Sequence, residues 1–114
     1  MVDEALREPM REPTLLVLAA LADRARHGYG VMREIETMSQ GRVRLRAGTL
    51  YAALERLTGE GLVRESGQEV VGGRLRRYYA LTDEGAAALS DEVERVSANV
   101  LEVKRRLRAR PVIA

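Results

Sequence analysis

Three arginines directly precede a short segment with one apolar face near the middle of the chain. Arg42, Arg44 and Arg46 alternate with apolar residues ahead of residues 47–59. Leucines recur in that segment at the spacing i, i+4 and i+7, which predicts an amphipathic helix: Leu50, Leu54 and Leu57. A helix N-terminus favours anions, because its unpaired backbone N–H groups and its dipole both point there. The chemistry that these residue types predict is therefore the binding of a polyanion.

The opposite face of the predicted helix carries small and polar side chains. They are Thr49, Tyr51, Ala52, Glu55 and Arg56. Such side chains can contact a phosphate or a base edge, so the helix fits a DNA major groove. An ordinary amphipathic helix with a solvated face shows the same pattern. The choice between the two interpretations depends on the neighbouring segments.

The composition describes one small globular domain and argues against catalysis. The chain has 114 residues, of which 46% are hydrophobic and 32% charged. It has no cysteine, which excludes a disulfide framework and a thiolate metal site. His27 is the only histidine, and beside a Gly-Tyr-Gly turn we expect it to cap or pack rather than to act as a base or metal ligand. We predict no cofactor, no metal and no enzymatic activity.

Neither the apolar runs nor the N-terminus indicates a membrane. The longest apolar run, over residues 15–22, is too short to span a bilayer. The first residues are acidic and lack the basic and apolar regions of a signal peptide. Together with the absence of cysteine, these features predict a cytoplasmic protein without a membrane partner.

Positive charge is concentrated in two parts of a chain whose net charge is only +2. Residues 42–82 contain eight arginines against four glutamates, and residues 104–114 contain five cations and no acid. Between them, residues 83–103 contain six acids and one arginine. This asymmetry predicts a polyanionic partner, and double-stranded DNA fits it.

The segments before the central helix predict the elements that position it. Residues 1–12 are polar and contain a proline, which is typical of a mobile arm or a short extra helical turn. Residues 13–22 predict a helix that is apolar on nearly all sides and must be covered by the domain or by a second subunit. A turn over 27–30 leads to a helix over 31–38 with Val31, Ile35 and Met38 on one face. A short basic link then joins it to the central helix, as in a helix-turn-helix.

Two extended segments follow the central helix and predict a β-hairpin. Residues 62–66 and 77–82 flank a Gly-rich segment over 67–76, in which Gly72 and Gly73 are the turn signal. Basic side chains lie in that segment and in the returning strand: Arg74, Arg76 and Arg77. A two-stranded hairpin is marginally stable alone, so we expect it to lean on the helices as a wing.

The C-terminal segment carries an apolar heptad repeat. Thr82 and the two acids after it are typical of a helix start. Apolar residues then step by three and four over three heptads: Ala86, Leu89, Val93, Val96, Val100, Val103 and Leu107. A small domain cannot bury this whole stripe, so we predict that the residues from Leu89 to Leu107 pack on a second copy. The alternative is that the first half packs on its own domain and the rest frays. The charged residues between them are expected on the solvated faces: Asp91, Glu92, Glu94, Arg95 and Glu102.

Taken together, these motifs resemble the PadR family of transcriptional regulators. The matching residues are His27-Gly-Tyr-Gly30, Gly48-Thr-Leu-Tyr51 with Leu54 and Leu57, Glu60-Gly-Leu62, and Arg76-Arg-Tyr-Tyr79 with Leu81, Thr82 and Gly85. The fold expected is mostly α with a small β-hairpin (α+β). A winged helix-turn-helix over 13–82 would follow the arm at 1–12. A dimerisation helix with a basic tail would occupy 83–114, similar to the short subgroup of the family.

The resemblance also implies roles for individual residues. It places Gly48, Thr49 and Tyr51 at the start of the recognition helix, and Arg74 and Arg76 on the wing near a minor groove. With the basic side chains identified above, the predicted DNA-binding set is Arg42, Arg44, Arg46, Gly48, Thr49, Tyr51, Arg56, Arg74 and Arg76. Family members often have Ser-Pro before this glycine, whereas this chain has Arg-Ala, which removes a helix cap and adds a charge.

The predicted function is a sequence-specific DNA-binding regulator, a repressor that acts as a homodimer on an inverted-repeat operator. The resemblance implies release by a small-molecule effector at the dimer interface. Since the chain lacks Trp and Phe, and its four tyrosines lie outside the heptad helix, we expect an apolar effector or none. The alternatives are a winged-helix protein-interaction module without specific DNA binding, and a regulator of the MarR type.

Overall fold

The computed structural model describes residues 8–113, which form four helices and a three-stranded antiparallel sheet. In chain order the elements are α1 (Glu12–Ala20), β1 (Arg26–His27), α2 (Gly28–Met38), α3 (Ala47–Gly59), β2 (Val63–Val71), β3 (Arg74–Leu81) and α4 (Asp83–Arg108). The predicted fold class, mostly helical with a small hairpin, is confirmed. Most of the predicted N-terminal arm, residues 1–7, lies outside the described residues. No helix in the described part of the chain is long and apolar enough to span a bilayer.

Helix α1 lies at the centre of the helical layer and packs against α2, α3 and α4. Its apolar residues meet the apolar faces of the neighbouring helices, and Val63 of β2 closes the core. The buried residues are Val17, Leu18, Ala20, Leu21, Val31, Ile35, Leu50, Leu54, Leu57 and Val63. The three leucines of α3 thus face the core as predicted. Met38 does not, because it ends α2 beyond the packed part of that helix and remains exposed.

Helix α2 begins three residues earlier than the apolar pattern predicted. The His27 side chain accepts a hydrogen bond from the Gly30 backbone N–H, with a distance of 3.1 Å from Nδ1 to N. This cap satisfies one of the unpaired donors of the first turn, so the helix starts at Gly28. The predicted turn over 27–30 is therefore helical from its second residue onward. The expectation that His27 caps or packs is confirmed.

The hairpin strands are longer than predicted, and only Gly72 and Gly73 form the turn. Both glycines have positive φ, +57° and +77°, which a residue with a side chain rarely adopts. Residues 67–71 and 74–76, predicted as a Gly-rich loop, are strand because cross-strand pairing continues up to the turn. A bulge between Glu65 and Gly67 interrupts the register. The wing is thus the whole of β2 and β3.

A third strand, β1, extends the sheet and was not predicted. Arg26 pairs with Tyr79 and His27 with Tyr78, so that β3 lies between β1 and β2. Arg26, expected in a polar helix exit, donates from Nε to the Ala20 carbonyl oxygen at 2.8 Å. Its guanidinium also contacts the carboxylates of Asp23 and Glu34. These contacts hold the two-residue strand beside the wing.

The start of α4 packs closely on the connection between α3 and β2. Thr82 caps the helix as predicted, accepting from the Gly85 backbone N–H at 2.9 Å. A Cβ placed on Gly85 would lie 2.0 Å from the Leu62 carbonyl oxygen. Only a glycine therefore lets α4 approach its domain this closely.

The prediction that Glu92 lies on a solvated face of α4 is wrong. Its side chain is only 7% exposed. The carboxylate accepts from the Met10 backbone N–H at 3.1 Å and forms an ion pair with Arg95. That ion pair and its hydrogen bonds hold the pKa of Glu92 below its ordinary value, against the opposing effect of burial. Glu92 is buried because the segment before α1 folds back over this part of α4.

Candidate nucleic-acid interface

The entrance to α3 presents three exposed arginines, as predicted. Arg46 is the residue before the first turn and makes no side-chain hydrogen bond to it. Arg42 pairs with Glu12 at 3.1 Å and Arg44 with Glu36 at 4.0 Å. Ion pairs between such exposed side chains contribute little stability. These guanidinium groups can therefore exchange their carboxylate partners for phosphates.

The outer face of α3 is open near its N-terminus. Thr49 and Ala52 are exposed. No atom lies within 4 Å of where a Cβ on Gly48 would be. A partner can consequently approach the backbone of this turn closely, as a recognition helix in a groove requires.

A cleft of about 480 Å³ separates α3 and the start of α2 from the wing. It brings together Tyr51, Arg74 and Arg76 of the predicted set, which come from two distant parts of the chain. The complete lining is His27, Gly28, Tyr29, Tyr51, Val71, Arg74, Leu75, Arg76, Arg77 and Tyr79. The cleft therefore combines three arginines with three tyrosines.

Arg56, which belongs to the predicted DNA-binding set, lies outside this cleft. Its Nη2 donates to the Thr14 hydroxyl at 2.9 Å, and its Nη1 pairs with Glu60 at 3.3 Å. The side chain thus joins the C-terminal half of α3 to the start of α1 and does not line the cleft. A helical wheel groups Arg56 with Thr49 on the polar face, but the side-chain hydrogen bonds depend on the position of α1.

Seven of the ten residues that line the cleft were outside the predicted DNA-binding set, among them Tyr29, His27 and Arg77. Tyr29 is exposed, and the Arg33 guanidinium carbon lies 5.9 Å from its ring centroid. The signals that could have found these three residues were the His27-Gly-Tyr-Gly30 motif and the Arg76-Arg-Tyr-Tyr79 motif. Nothing in the spacing within either motif indicated that the two would meet.

A hydrogen bond within the wing and a ring contact to His27 fix the Tyr78 side chain behind the cleft. The Tyr78 hydroxyl donates to Glu69 Oε1 at 2.5 Å, and this hydrogen bond raises the pKa of Tyr78. The His27 ring meets the Tyr78 ring edge-on, with centroids 5.5 Å apart. Burial and the nearby charge of Arg76 lower the pKa of His27.

Within residues 8–113, no three His, Asp or Glu side chains converge as metal ligands would.

The heptad face of α4 forms a second candidate surface. Leu89 packs partly against the core of its own domain. The five apolar residues beyond it are exposed by 37% to 64%: Val93, Val96, Val100, Val103 and Leu107. The α4 residues buried on the domain are instead Gly85, Ala88 and Glu92. The domain therefore covers a neighbouring stripe and leaves most of the heptad stripe open.

The sequence and the fold both match known proteins. The PadR-like family of transcriptional regulators matches residues 17–91. The chain is 40% identical over 88 residues to the transcriptional regulator Rv3488 of Mycobacterium tuberculosis, across 76% of this chain and 78% of that protein. A PadR family transcriptional regulator from Eggerthella lenta has a similar structure, with a TM-score of 0.70, 26% identity, and coverage of 86% of this chain and 83% of that one.

The fold is also similar to that of Bacillus subtilis PadR, whose structure was solved in complex with operator DNA. The TM-score is 0.65 at 23% identity, over 73% of this chain and 47% of that one. The family consists of transcriptional regulators and not of enzymes, as the composition predicted for this chain. This protein belongs to the PadR-like family of transcriptional regulators.

Proposed function

We propose that this regulator binds DNA sequence-specifically through α3 and the wing, and that it acts as a repressor. The observation that carries the proposal is the cleft in which Tyr51 of α3 lies beside Arg74 and Arg76 of the wing. A helix in a major groove and a hairpin beside it both border the sugar-phosphate backbone. The cleft offers the cationic and hydroxyl groups that phosphates attract. The fold shared with the DNA-bound Bacillus subtilis protein supports the same use.

The roles within the interface follow from exposure and from existing partners. Thr49 and Tyr51 are best placed to read base edges, since they project from the first turns of α3. Phosphate contacts are assigned to the arginines at the helix entrance and on the wing: Arg42, Arg44, Arg46, Arg74 and Arg76. Gly48 gives the backbone room to approach. Arg56 has the weakest support in the set, because DNA would have to compete with Thr14 and Glu60 for its guanidinium.

The protein acts as a homodimer in this proposal, and the contact surface is the exposed heptad stripe of α4. A helix that exposes five large apolar residues in one row gains free energy by covering them with a second copy. A twofold axis through α4 would present two recognition helices to an inverted repeat, about 34 Å apart. In this proposal, residues 13–82 form the winged DNA-binding unit and residues 83–114 form the dimerisation unit.

The charge distribution along α4 favours an antiparallel arrangement of the two helices. Residues 83–103 contain six acids against one arginine, whereas residues 104–110 contain five cations. In a parallel pair, like charges would face each other along the whole helix. In an antiparallel pair, the basic end of one protomer lies over the acidic half of the other.

Release by an apolar small molecule at the α4 interface is the proposed form of regulation. All four tyrosines lie outside α4, so the interface offers valine and leucine side chains rather than an aromatic cage. The proposed location is the cytoplasm.

The experiment that tests the proposal is fluorescence-anisotropy binding to the duplex upstream of the protein's own gene, against a scrambled duplex, at two salt concentrations. Selective binding of two protomers per duplex is expected. Arg74→Ala should weaken binding to both duplexes and reduce the salt slope by about one per protomer. Arg64→Ala is the matched control, because Arg64 is exposed on β2 but does not line the cleft. Weak binding that ignores sequence, with retention of a protein partner, would favour the interaction-module alternative.

A further inference from the structure

Residues 27 and 28 contact both halves of the proposed interface. His27 pairs with Tyr78 in the β1–β3 ladder, and its ring meets the Tyr78 ring edge-on at 5.5 Å. Tyr78 in turn donates its hydroxyl to Glu69 of β2, so the contact extends to both strands of the wing. On the opposite side, the next residue, Gly28, lies under the Tyr51 side chain of α3. The wing and the recognition helix therefore meet at the start of α2.

His27 performs two functions there that few residue types can combine. Its Nδ1 accepts from the Gly30 N–H at 3.1 Å, which requires a lone pair on that nitrogen. Its ring supplies the edge-on aromatic contact to the wing. Asparagine could supply the cap but not the ring, and phenylalanine could supply the ring but not the cap. This separation makes the two functions independently testable.

We propose that His27 is a positioning residue that sets the angle of the wing relative to the recognition helix. The inference rests on the proposed DNA binding for its functional consequence, but the angle itself is a property of the free protein. The base of the hairpin is anchored by β1 and by Val63, which is buried in the core, but the strands beyond that base can bend relative to the helices. The ring contact and the Tyr78–Glu69 hydrogen bond remove that freedom. Arg74 and Arg76 then lie at a constant distance from α3.

The first arm of the test measures the wing angle without DNA. Residual dipolar couplings of the backbone amides report the orientation of the β2–β3 hairpin relative to α2 and α3. In the wild type, one orientation should fit both sets of couplings. In His27→Asn, which retains a cap, the hairpin couplings should shrink or require a different orientation, while the helix couplings stay the same. Tyr78→Val removes the same ring contact from the wing side and should reproduce the result, even if His27→Asn folds poorly.

The second arm measures the functional consequence by a double-mutant cycle on DNA affinity. His27→Asn is expected to weaken selective binding roughly tenfold, and this loss should fall to less than about twofold in an Arg74→Ala background. Non-interacting residues would instead give losses that multiply. His27→Phe, which retains the ring, should keep more of the affinity than His27→Asn while losing more helix stability.

The outcomes separate the two proposals. Unchanged couplings in both His27→Asn and Tyr78→Val would overturn the positioning role, whatever the DNA result. Losses that multiply in the cycle would also overturn it. Wild-type protein that fails to select any upstream duplex would refute the proposed function, and the coupling measurement would still decide whether His27 fixes the wing.

Discussion

The Tyr51 hydroxyl lies directly over Gly28, so closely that a Cβ on Gly28 would be 2.4 Å from the hydroxyl oxygen. Two ring carbons of Tyr51 would be 2.6 and 2.8 Å from the same position. The α3 helix therefore contacts the start of α2 through Tyr51, whose present position leaves no room for a side chain at residue 28. The relationship joins two of the motifs by which the sequence resembles its family, His27-Gly-Tyr-Gly30 and Gly48-Thr-Leu-Tyr51.

Gly28→Ala should impair DNA recognition more than folding. The added methyl group must displace Tyr51 from its place over α2, and the ring has solvent to move into because it is already 48% exposed. We expect roughly a tenfold loss of selective DNA affinity, typical of losing one well-placed contact, with a small change in thermal stability. Gly30→Ala is the matched control, since the nearest atom to its Cβ would be 3.5 Å away. Equal losses in the two variants would contradict the assigned role of Tyr51.

Gly85→Ala should destabilise the fold itself. The obstacle to a methyl group is the Leu62 carbonyl oxygen at 2.0 Å, and backbone yields less readily than a side chain. Overpacking of this kind costs about 1–3 kcal/mol, measurable by urea unfolding. Gly59→Ala provides the comparison, because no atom lies within 4 Å of its Cβ position and it lies in the last turn of α3. That variant should be neutral or slightly stabilising, and a large loss there would weaken the steric explanation.

Val100→Glu should convert the proposed dimer to a monomer. Val100 lies in the middle of the exposed heptad stripe and is 45% exposed in the single chain. A charge there would be buried against a second copy at a cost of several kcal/mol, but would be solvated in a monomer. Sedimentation equilibrium gives the mass of both forms. Ala98→Glu adds the same charge on the exposed opposite face of α4 and should leave the mass unchanged.

Single-cysteine cross-linking should reveal the direction of α4 in the dimer. The chain contains no cysteine, so every disulfide cross-link must form between the introduced thiols. In an antiparallel pair, Leu107→Cys alone should not cross-link, whereas a mixture of Leu107→Cys and Ala86→Cys protomers should. Efficient cross-linking of Leu107→Cys to itself would indicate a parallel pair. The dimer proposal would survive that result, but the argument from charge would not.

Stability should fall in mild acid because of His27. Its pKa is lowered from the ordinary value of 6.5 by burial and by Arg76, so the unfolded chain binds a proton more readily than the folded one. The contribution of neutral His27 to the free energy of unfolding is fully present above pH 6.5. It is lost as the pH falls through the lowered pKa of the folded state. Urea unfolding between pH 8 and pH 5 measures it. His27→Asn should flatten this part of the profile, and an identical slope in that variant would exclude His27 as the cause.

The predictions from sequence succeeded where the determining interactions are local. Leu50, Leu54 and Leu57 indicated the buried face of α3, because helical periodicity alone determines which side chains share a face. Gly72 and Gly73 indicated the turn of the wing, because positive φ restricts residue type. Thr82 indicated the start of α4, because its side chain accepts a hydrogen bond from a backbone N–H of the first turn. In each case the signal and its cause lie within a few residues.

The predictions failed where a distant segment changes the environment of a residue. Glu92 belongs to a charged helix, yet it is buried because Met10, which is 82 positions away, donates its backbone N–H to it. Strand β1 has two residues and no pattern of its own, and it exists because β3 lies beside it. The hydrogen bond from Arg56 to Thr14 of α1 was likewise not visible in the sequence, while the DNA-binding role of Arg56 stays a prediction.

By itself, the sequence determined the order of the four helices and the two wing strands, the apolar face of α3, the heptad stripe and the concentration of arginines around the central helix. Periodicity, capping and turn chemistry depend on residues that are close in the chain, so short sequence patterns are enough to predict them. Only the tertiary structure decided that Tyr51 rests on Gly28, that His27 meets the wing, and that the domain buries Glu92 rather than the heptad stripe. Those contacts depend on how rigid elements pack in three dimensions, which no short stretch of sequence specifies.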